Sequence, residues 1–319
     1  MNELTARIQQ EIRKVVIGKD QVISRVLMAI LARGHVLLED VPGVGKTTMA
    51  LSFAKVLGLD SRRIQFTSDT MPSDIVGFSV YDKASGTLQY KPGAVMTNLL
   101  LADEINRTSS KTQSALLEAM EEGRVTLDGQ TRSLPSPFVV LATQNPVGSA
   151  GTMMLPNSQL DRFLMKLSMG YPDLKSQVEI MKERHTENPL DKVRPVTDRK
   201  TLQSLIDDAA KVYLSDAVYQ YISELVQATR THPMVQLGVS PRGALAICRA
   251  AKACAYLDGR DYGTPEDVAA VLEPVCAHRL MLGSRAKLHE YTPEQIVREV
   301  AGSVPMPAVQ TFAPGRRER

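Results

Sequence analysis

The segment from Val36 to Leu57 constrains the fold more than any other. Val36-Leu37-Leu38 is a short apolar run, Gly43-Val44-Gly45-Lys46-Thr47 is a glycine-spaced turn, and Thr47 to Leu57 has helical periodicity. A buried strand that turns through glycines into a helix is the unit of a parallel α/β layer. The pattern recurs. Ile64-Gln65-Phe66, Leu99 to Ala102 and Phe138 to Ala142 read as further strands buried on both faces, and Phe163 to Leu167 as a fifth. Lys111 to Glu122 reads as a second helix, stopped by Gly123. Parallel strands covered by helices are the expected core.

Two segments do not fit that alternation. Arg124 to Leu134 alternates apolar residues around Asp128-Gly129, a strong hairpin signal, and Gly77 to Gly93 reads similarly with Ser85-Gly86 at its turn. Both are read as insertions. From Asp173 onward the strand signal ends and helices follow. Ser240-Pro241, Thr264-Pro265 and Thr292-Pro293 each set a capping residue before a proline at the first helical position, and Thr292 with Gln295 fits a capping box. The division is therefore an α/β domain over 1–172, a helical domain over 173–302 and a flexible tail over 303–319. A chain of 319 residues suits two domains.

Composition excludes more than it selects. The formal net charge is +3, too small to imply a nucleic-acid or anionic-membrane partner by field alone. Cys248, Cys254 and Cys276 form no CxxC pair and read as buried reduced thiols, and no export signal or bilayer-length apolar run is visible, so a cytoplasmic location is expected. The five histidines show no ligand spacing. Asn106-Arg107-Thr108 matches a glycosylation sequon and is read as chance.

The chemistry concentrates in a few places. Backbone N–H groups of the glycine turn, with a helix N-terminus behind them, form a cradle for phosphates. Lys46 would reach the β- and γ-phosphates, and the Thr47 hydroxyl would bind Mg²⁺. The full pattern asks for glycine where Asp40 stands, which threatens altered loop geometry or repulsion near the phosphates. Leu99 to Ala102 runs into Asp103-Glu104, two carboxylates at the end of a buried strand, where an open α/β sheet places its ligand crevice. Asp103 suits the Mg²⁺ shell and Glu104 the activation of water. Thr143-Gln144-Asn145-Pro146 ends another strand with an amide able to touch a γ-phosphate. Arg242 falls in the first turn of a helix, where a cation opposes the helix dipole at a cost of about 0.3–1 kcal/mol. An anion nearby would explain it.

Together these residues resemble an AAA+ ATPase of the MoxR family. The matching text covers most of the chain: Val15 to Gly18, the glycine turn, Arg63 to Thr67, Met71 to Ile75, Leu99 to Met120, Ala142 to Pro146, Leu155-Pro156, Gln159 to Phe163 and Ser240 to Arg242. The resemblance implies an αβα P-loop domain followed by an all-helical lid that closes nucleotide between them. ATP and Mg²⁺ are the implied ligands, with Pro42, Gly43, Val44, Gly45, Lys46, Thr47 and Thr48 as Walker A, and Asp103 and Glu104 as Walker B. Asn145 matches sensor 1. Arg162 matches an arginine finger that completes a neighbouring subunit's site, and Arg242 matches sensor 2 on the lid, expected to converge with Lys46 and Asp103. Val16, Ile17 and Gly18 match the segment packed against adenine. The hairpins match inserts near a central pore.

The family assembles as rings, usually hexamers, and acts in a chaperone-like way on client protein complexes, with von Willebrand factor A domain proteins among its partners. A nucleic-acid motor is the competing reading, opposed by the mild charge and by an aromatic content of 5%. An ATP-binding assembly switch with negligible turnover is a third, motivated by Asp40.

Overall fold

Each predicted apolar run becomes a strand of one parallel sheet. The computed structural model describes residues 2–41, 43–145, 154–183 and 189–308. Its elements are α1 (Glu3–Arg13), α2 (Asp20–Leu31), β1 (Val36–Glu39), α3 (Lys46–Val56), β2 (Ser61–Gln65), α4 (Pro72–Val76), β3 (Gly77–Asp82), β4 (Thr87–Pro92), β5 (Leu99–Asp103), α5 (Ser110–Glu122), β6 (Arg124–Leu127), β7 (Gln130–Ser133), β8 (Val139–Gln144), α6 (Asn157–Leu160) and β9 (Met165–Leu167). Then come α7 (Leu174–Glu183), α8 (Arg199–Ala210), α9 (Asp216–Thr231), β10 (Val235–Leu237), α10 (Pro241–Leu257), α11 (Pro265–Cys276), β11 (Met281–Leu282), α12 (Ser284–Leu288) and α13 (Pro293–Ser303).

The sheet order is β2-β5-β8-β1-β9, with every pairing parallel. Period-two alternation assigns its side chains to two cores. Val36 and Leu38, Leu99 and Leu101, and Val139 and Leu141 enter one, while Leu37, Leu100, Ala102, Val140 and Ala142 enter the other. Fully burying one such side chain contributes about 1.5–3 kcal/mol. The first core does not end at the sheet. It continues through α1, α2 and α3 into Leu202, Leu225, Ile247, Val271 and Val297 of the helical region. The second is closed by Phe66, Ile75, Leu116, Leu117 and Phe163.

One strand differs from expectation. β2 is an edge strand whose residues 61–63 and 65 are exposed; it is not buried on both faces, and the apolar Phe66 that suggested so lies just past its end. The hairpins form as predicted. β3 pairs with β4 and β6 with β7, and Asp128 and Gly129 both take positive φ (50° and 72°), as a tight two-residue turn requires. Arg132 of the second hairpin stacks on Tyr90 of the first, 4.3 Å from the ring centre.

Helices start at Pro241, Pro265 and Pro293, each behind its predicted capping residue. The helical region also contains a short antiparallel pair, β10 with β11, so it is not purely helical. Of the three free thiols only Cys276 is buried; Cys248 and Cys254 are half-exposed. Asn106, the sequon residue, is wholly buried. Among the described residues no helix is long and apolar enough to cross a membrane. Residues 309–319 of the expected tail lie outside the described part.

His35 pins the start of the sheet to α5. Its Nδ1 accepts from the Val140 backbone N–H at 3.0 Å, which leaves Nε2 to donate to the Met120 carbonyl at 3.1 Å. Burial pushes its pKa down to about 4, so the ring stays neutral in the fold. The unfolded chain takes up a proton below the ordinary value near 6.5, the folded chain does not. Stability is therefore complete above about pH 6.5 and falls between there and about pH 4. At pH 5 the expected loss from His35 is about 2 kcal/mol. Urea unfolding at pH 7.5 and pH 5 should show this loss in the parent chain and a smaller one in His35→Gln.

Candidate functional site

The glycine turn is shaped by backbone, not by lack of room. Gly43 and Gly45 take φ of +87° and +96°, a region that penalises any side chain. Gly45 is the N-cap of α3 and offers no side chain to the helix's first N–H groups, which face the concavity that a phosphate would fill. Lys46 opens the helix. It is 9% exposed, and its Nζ donates to the carbonyls of Asp40 at 2.7 Å and Val41 at 3.3 Å. Burial pulls its pKa below the usual lysine value, against the carboxylates of Asp40, Asp103 and Glu104. Thr47 and Thr48 follow half-buried in the same turn, and Pro42 lies outside the described residues.

Asp40 is tied into the fold through its side chain. Its carboxylate accepts from Met169 N at 2.6 Å, Ser168 Oγ at 2.8 Å and Gly170 N at 3.0 Å. Three donors beyond β9 thus occupy the charge, and the side chain fastens the end of β9 to the end of β1. Glycine could not make this tie.

Asp103 ends β5, 5% exposed, and accepts from Thr143 Oγ1 at 3.2 Å and Arg63 Nε at 2.7 Å. Glu104 follows with φ 58° and ψ 46°, a left-handed conformation costing on the order of 1–3 kcal/mol in a non-glycine residue. That turn aims its carboxylate along the strand ends. Its backbone N–H donates to Thr143 Oγ1 at 2.9 Å. Its carboxylate accepts from Arg107 at 2.7 Å and from Asn145 Nδ2 at 3.2 Å. Arg107 first, then Asn145 and Gln65, hold the Glu104 carboxyl below its ordinary range, outweighing burial. Lys46, Asp103, Glu104 and Asn145 therefore meet at the carboxyl ends of β1, β5 and β8.

A cleft opens beside them, lined by Val15, Val16, Ile17, Val44, Thr48 and Ile180 among others. It is narrow and mostly apolar. Gly18 shapes its edge: φ is +70°, and a Cβ there would lie 2.3 Å from Ser176 Oγ.

Arg162 and Arg242 are elsewhere. Both point at Glu121, near the far end of α5: Arg162 Nε lies 3.2 Å from its Oε2, and Arg242 forms a short ion pair with its Oε1. Arg162 Nε is buried and makes no aligned hydrogen bond. α5 starts beside the Glu104 turn, where Gln113 Nε2 donates to the Ile105 carbonyl, and ends beside His35 at the opposite end of β1. From Ser110 to Glu121 the helix rises roughly 16 Å. The expected convergence of Arg242 with Lys46 and Asp103 is thus corrected. Within one chain the two arginines sit at the amino ends of the strands, the phosphate cradle at the carboxyl ends. Glu121 supplies the anion that a cation in the first turn of α10 called for.

Sequence reasoning missed Arg63, Arg107 and Glu121 as members of these clusters. Glu104 and Arg107 at i, i+3 were a legible charge pair. Arg63 and Glu121 carry no local signal, because sheet register and helix length bring them in.

A family model described as the ATPase family associated with various cellular activities matches residues 35–165, and a AAA lid domain model matches residues 227–300. The protein YeaC of Bacillus subtilis is 48% identical, over 96% of this chain and 96% of its own. Chaperone MoxR1 of Mycobacterium tuberculosis is 40% identical over 94% of this chain and 81% of its own. A crystal structure of a candidate ATPase from Cytophaga hutchinsonii superposes with a TM-score of 0.88 at 38% identity, over 96% of this chain and 95% of that one. With its parallel P-loop sheet and helical lid, the chain belongs to the MoxR family of AAA ATPases and is an ATP-hydrolysing enzyme.

Proposed function

We propose that the protein works as one subunit of a closed ring, a hexamer, in which Arg162 and Arg242 of each subunit serve the triphosphate held by the next. The observation that carries this reading is the separation of the arginine pair from Lys46 along the length of α5. Two guanidinium groups half-exposed on the far edge of the sheet cannot reach their own cradle. A neighbour turned by one ring step brings its cradle to them.

Within the site, Gly43, Val44, Gly45 and Thr48 cradle the phosphates, and Lys46 exchanges its loop carbonyls for phosphate oxygens. Val16, Ile17 and Gly18 bound the base. Thr47 and Asp103 are the oxygen donors for Mg²⁺, a fit supported by the carboxylate of Asp103, which has lone pairs left beyond its two protein bonds. When bound, the ion neutralises charge on the phosphate oxygens. Glu104 takes up a proton from the attacking water, and Asn145 orients both. The bonds from Arg107 and Asn145 keep Glu104 ionised.

Hydrolysis then alters contacts across each subunit boundary and moves the β3-β4 and β6-β7 hairpins, which are coupled through Arg132 and Tyr90. Exposed Phe78, Tyr81 and Leu88 on the first hairpin suit an apolar stretch of client protein better than a nucleic-acid backbone. A protein complex as client, in the cytoplasm, with a von Willebrand factor A domain partner, is the reading adopted. The saturated Asp40 carboxylate removes the motive for a switch without turnover.

Steady-state phosphate release tests the scheme. Specific activity should rise with protein concentration as rings form. Glu104→Gln should abolish turnover while retaining ATP, and Arg162→Ala should lower kcat by on the order of 10³-fold with nucleotide affinity retained. An Arg162→Ala protein as active as its parent would end the ring reading. A second expectation concerns pH. Glu104 must be ionised to act, and activity is lost as pH falls through its depressed pKa. Arg107→Ala removes the largest cause of that depression, so the acid limb of the kcat profile should move to higher pH.

A further inference from the structure

Arg162 and Arg242 come from different parts of the chain, yet they stand side by side. What holds them there is a buried ion pair that belongs to neither the cradle nor the hairpins. Arg279 ends a 3-10 turn, residues Ala277–Arg279, after α11, and its side chain is only 2% exposed. Its Nε donates to Asp161 Oδ1 at 2.7 Å. The remaining donors spread over backbone: Nη2 reaches the carbonyls of Phe163 at 2.6 Å and Asp161 at 3.2 Å, and Nη1 reaches that of Leu164 at 3.2 Å and that of Val275. Arg279 therefore grips the chain on both sides of Arg162.

The other oxygen of Asp161 completes the link. Ser240 Oγ donates to Asp161 Oδ2 at 3.0 Å and accepts from Gly243 N at 3.1 Å, so the cap of α10 is tied to the same carboxylate. Arg242 lies two residues beyond that cap, and Arg162 one residue beyond Asp161. Gly243 makes the approach possible: a Cβ there would meet Val239 Cγ1 at 2.5 Å and Arg279 Cδ at 3.0 Å. One carboxylate thus sets the spacing of the two guanidinium groups through covalent neighbours on each side.

We propose that Asp161 and Arg279 are positioning residues that join the lid to the Arg162 loop, so that Arg162 and Arg242 meet a neighbour's triphosphate as one preset pair. The proposal rests on the ring reading above. A merely stabilising ion pair would have the same contacts, so the test must separate the two roles. A site displaced by about 1 Å costs on the order of 100-fold in rate. Asp161→Asn keeps the shape and removes the charge. It should bind a fluorescent ATP analogue at its own cradle with parental affinity and show an unchanged KM, while kcat falls about 10- to 100-fold.

Mixing then locates the defect. Asp161→Asn chains mixed with Glu104→Gln chains should recover activity, because the intact Glu104 site of the first meets the intact arginine pair of the second. Arg162→Ala mixed with Glu104→Gln is the control. Recovery in the control without recovery for Asp161→Asn overturns the positioning role and leaves the ring standing. Recovery in neither overturns both. Parental kcat in Asp161→Asn, or loss of its own nucleotide binding, also overturns the proposal. If Asp161→Asn folds poorly, Ser240→Ala removes the other bond to the same carboxylate and should give a smaller fall in kcat, again repaired by mixing; an unrepaired fall overturns the proposal.

Discussion

A parallel sheet has two chemically unlike ends, and the arrangement of this protein follows from that constraint. Every strand of β2-β5-β8-β1-β9 runs the same way, so all turns that leave the carboxyl ends lie on one edge and all that enter lie on the other. Lys46, Asp103, Glu104 and Asn145 are consequences of the first edge. Arg162 and Glu121 are consequences of the second, because one precedes β9 and the other ends the helix that travels back along the sheet. A four-residue strand is about 13 Å long. No side chain spans that distance through a packed core, so within one chain the arginine pair at Glu121 lies out of reach of Lys46.

Five carboxylates at these edges show how partners decide what a charge is for. Asp40 is saturated by donors beyond β9 and acts as a tie between two strand ends. Asp103 and Glu104 are only partly satisfied, each retaining acceptor capacity beside Lys46. Asp161 is divided between a buried arginine and a helix cap. Glu121 alone carries two guanidinium groups on the surface. Coulomb attraction between exposed charges is weak and readily exchanged. The Glu121 contacts contrast in this with the Asp161 pair, whose buried arginine would be left uncompensated if broken.

The residues that announced themselves in sequence did so through local rules. Gly43 and Gly45 need positive φ, Pro241, Pro265 and Pro293 follow capping residues, and Asp128-Gly129 fixes a hairpin. Each depends on a few neighbouring atoms, and each forms where the pattern put it. The apolar runs of β1, β5 and β8 were equally legible because they are buried on both faces. β2 was not, since an edge strand needs no apolar alternation, and its neighbour Phe66 supplied a misleading signal. The bonds of Asp40 were not legible for a related reason: its donors lie about 130 residues away in sequence, at Ser168 to Gly170, and register alone brings them close. The place of Arg242 depended on which end of the sheet the lid meets, and that is decided by contacts distant in sequence, the packing of α10 against α2 and α8 and the bond from Ser240 to Asp161.

That packing also limits how the lid can move. Val26 and Ile23 of α2 share one core with Ile247 of α10 and Leu202 of α8, and the same core reaches the sheet through Leu141 and Leu99. Opening the lid as a hinged flap would expose this continuous apolar surface, at about 25 cal/mol for each Å² uncovered. The narrow cleft beside the cradle is bounded by both regions, with Ile180 of α7 lining it together with Val16 and Val44. The polar and exchangeable contacts lie elsewhere, at the Glu121 cluster and the cradle. Sheet and lid are thus joined through one apolar core, with the polar contacts lying at its two ends.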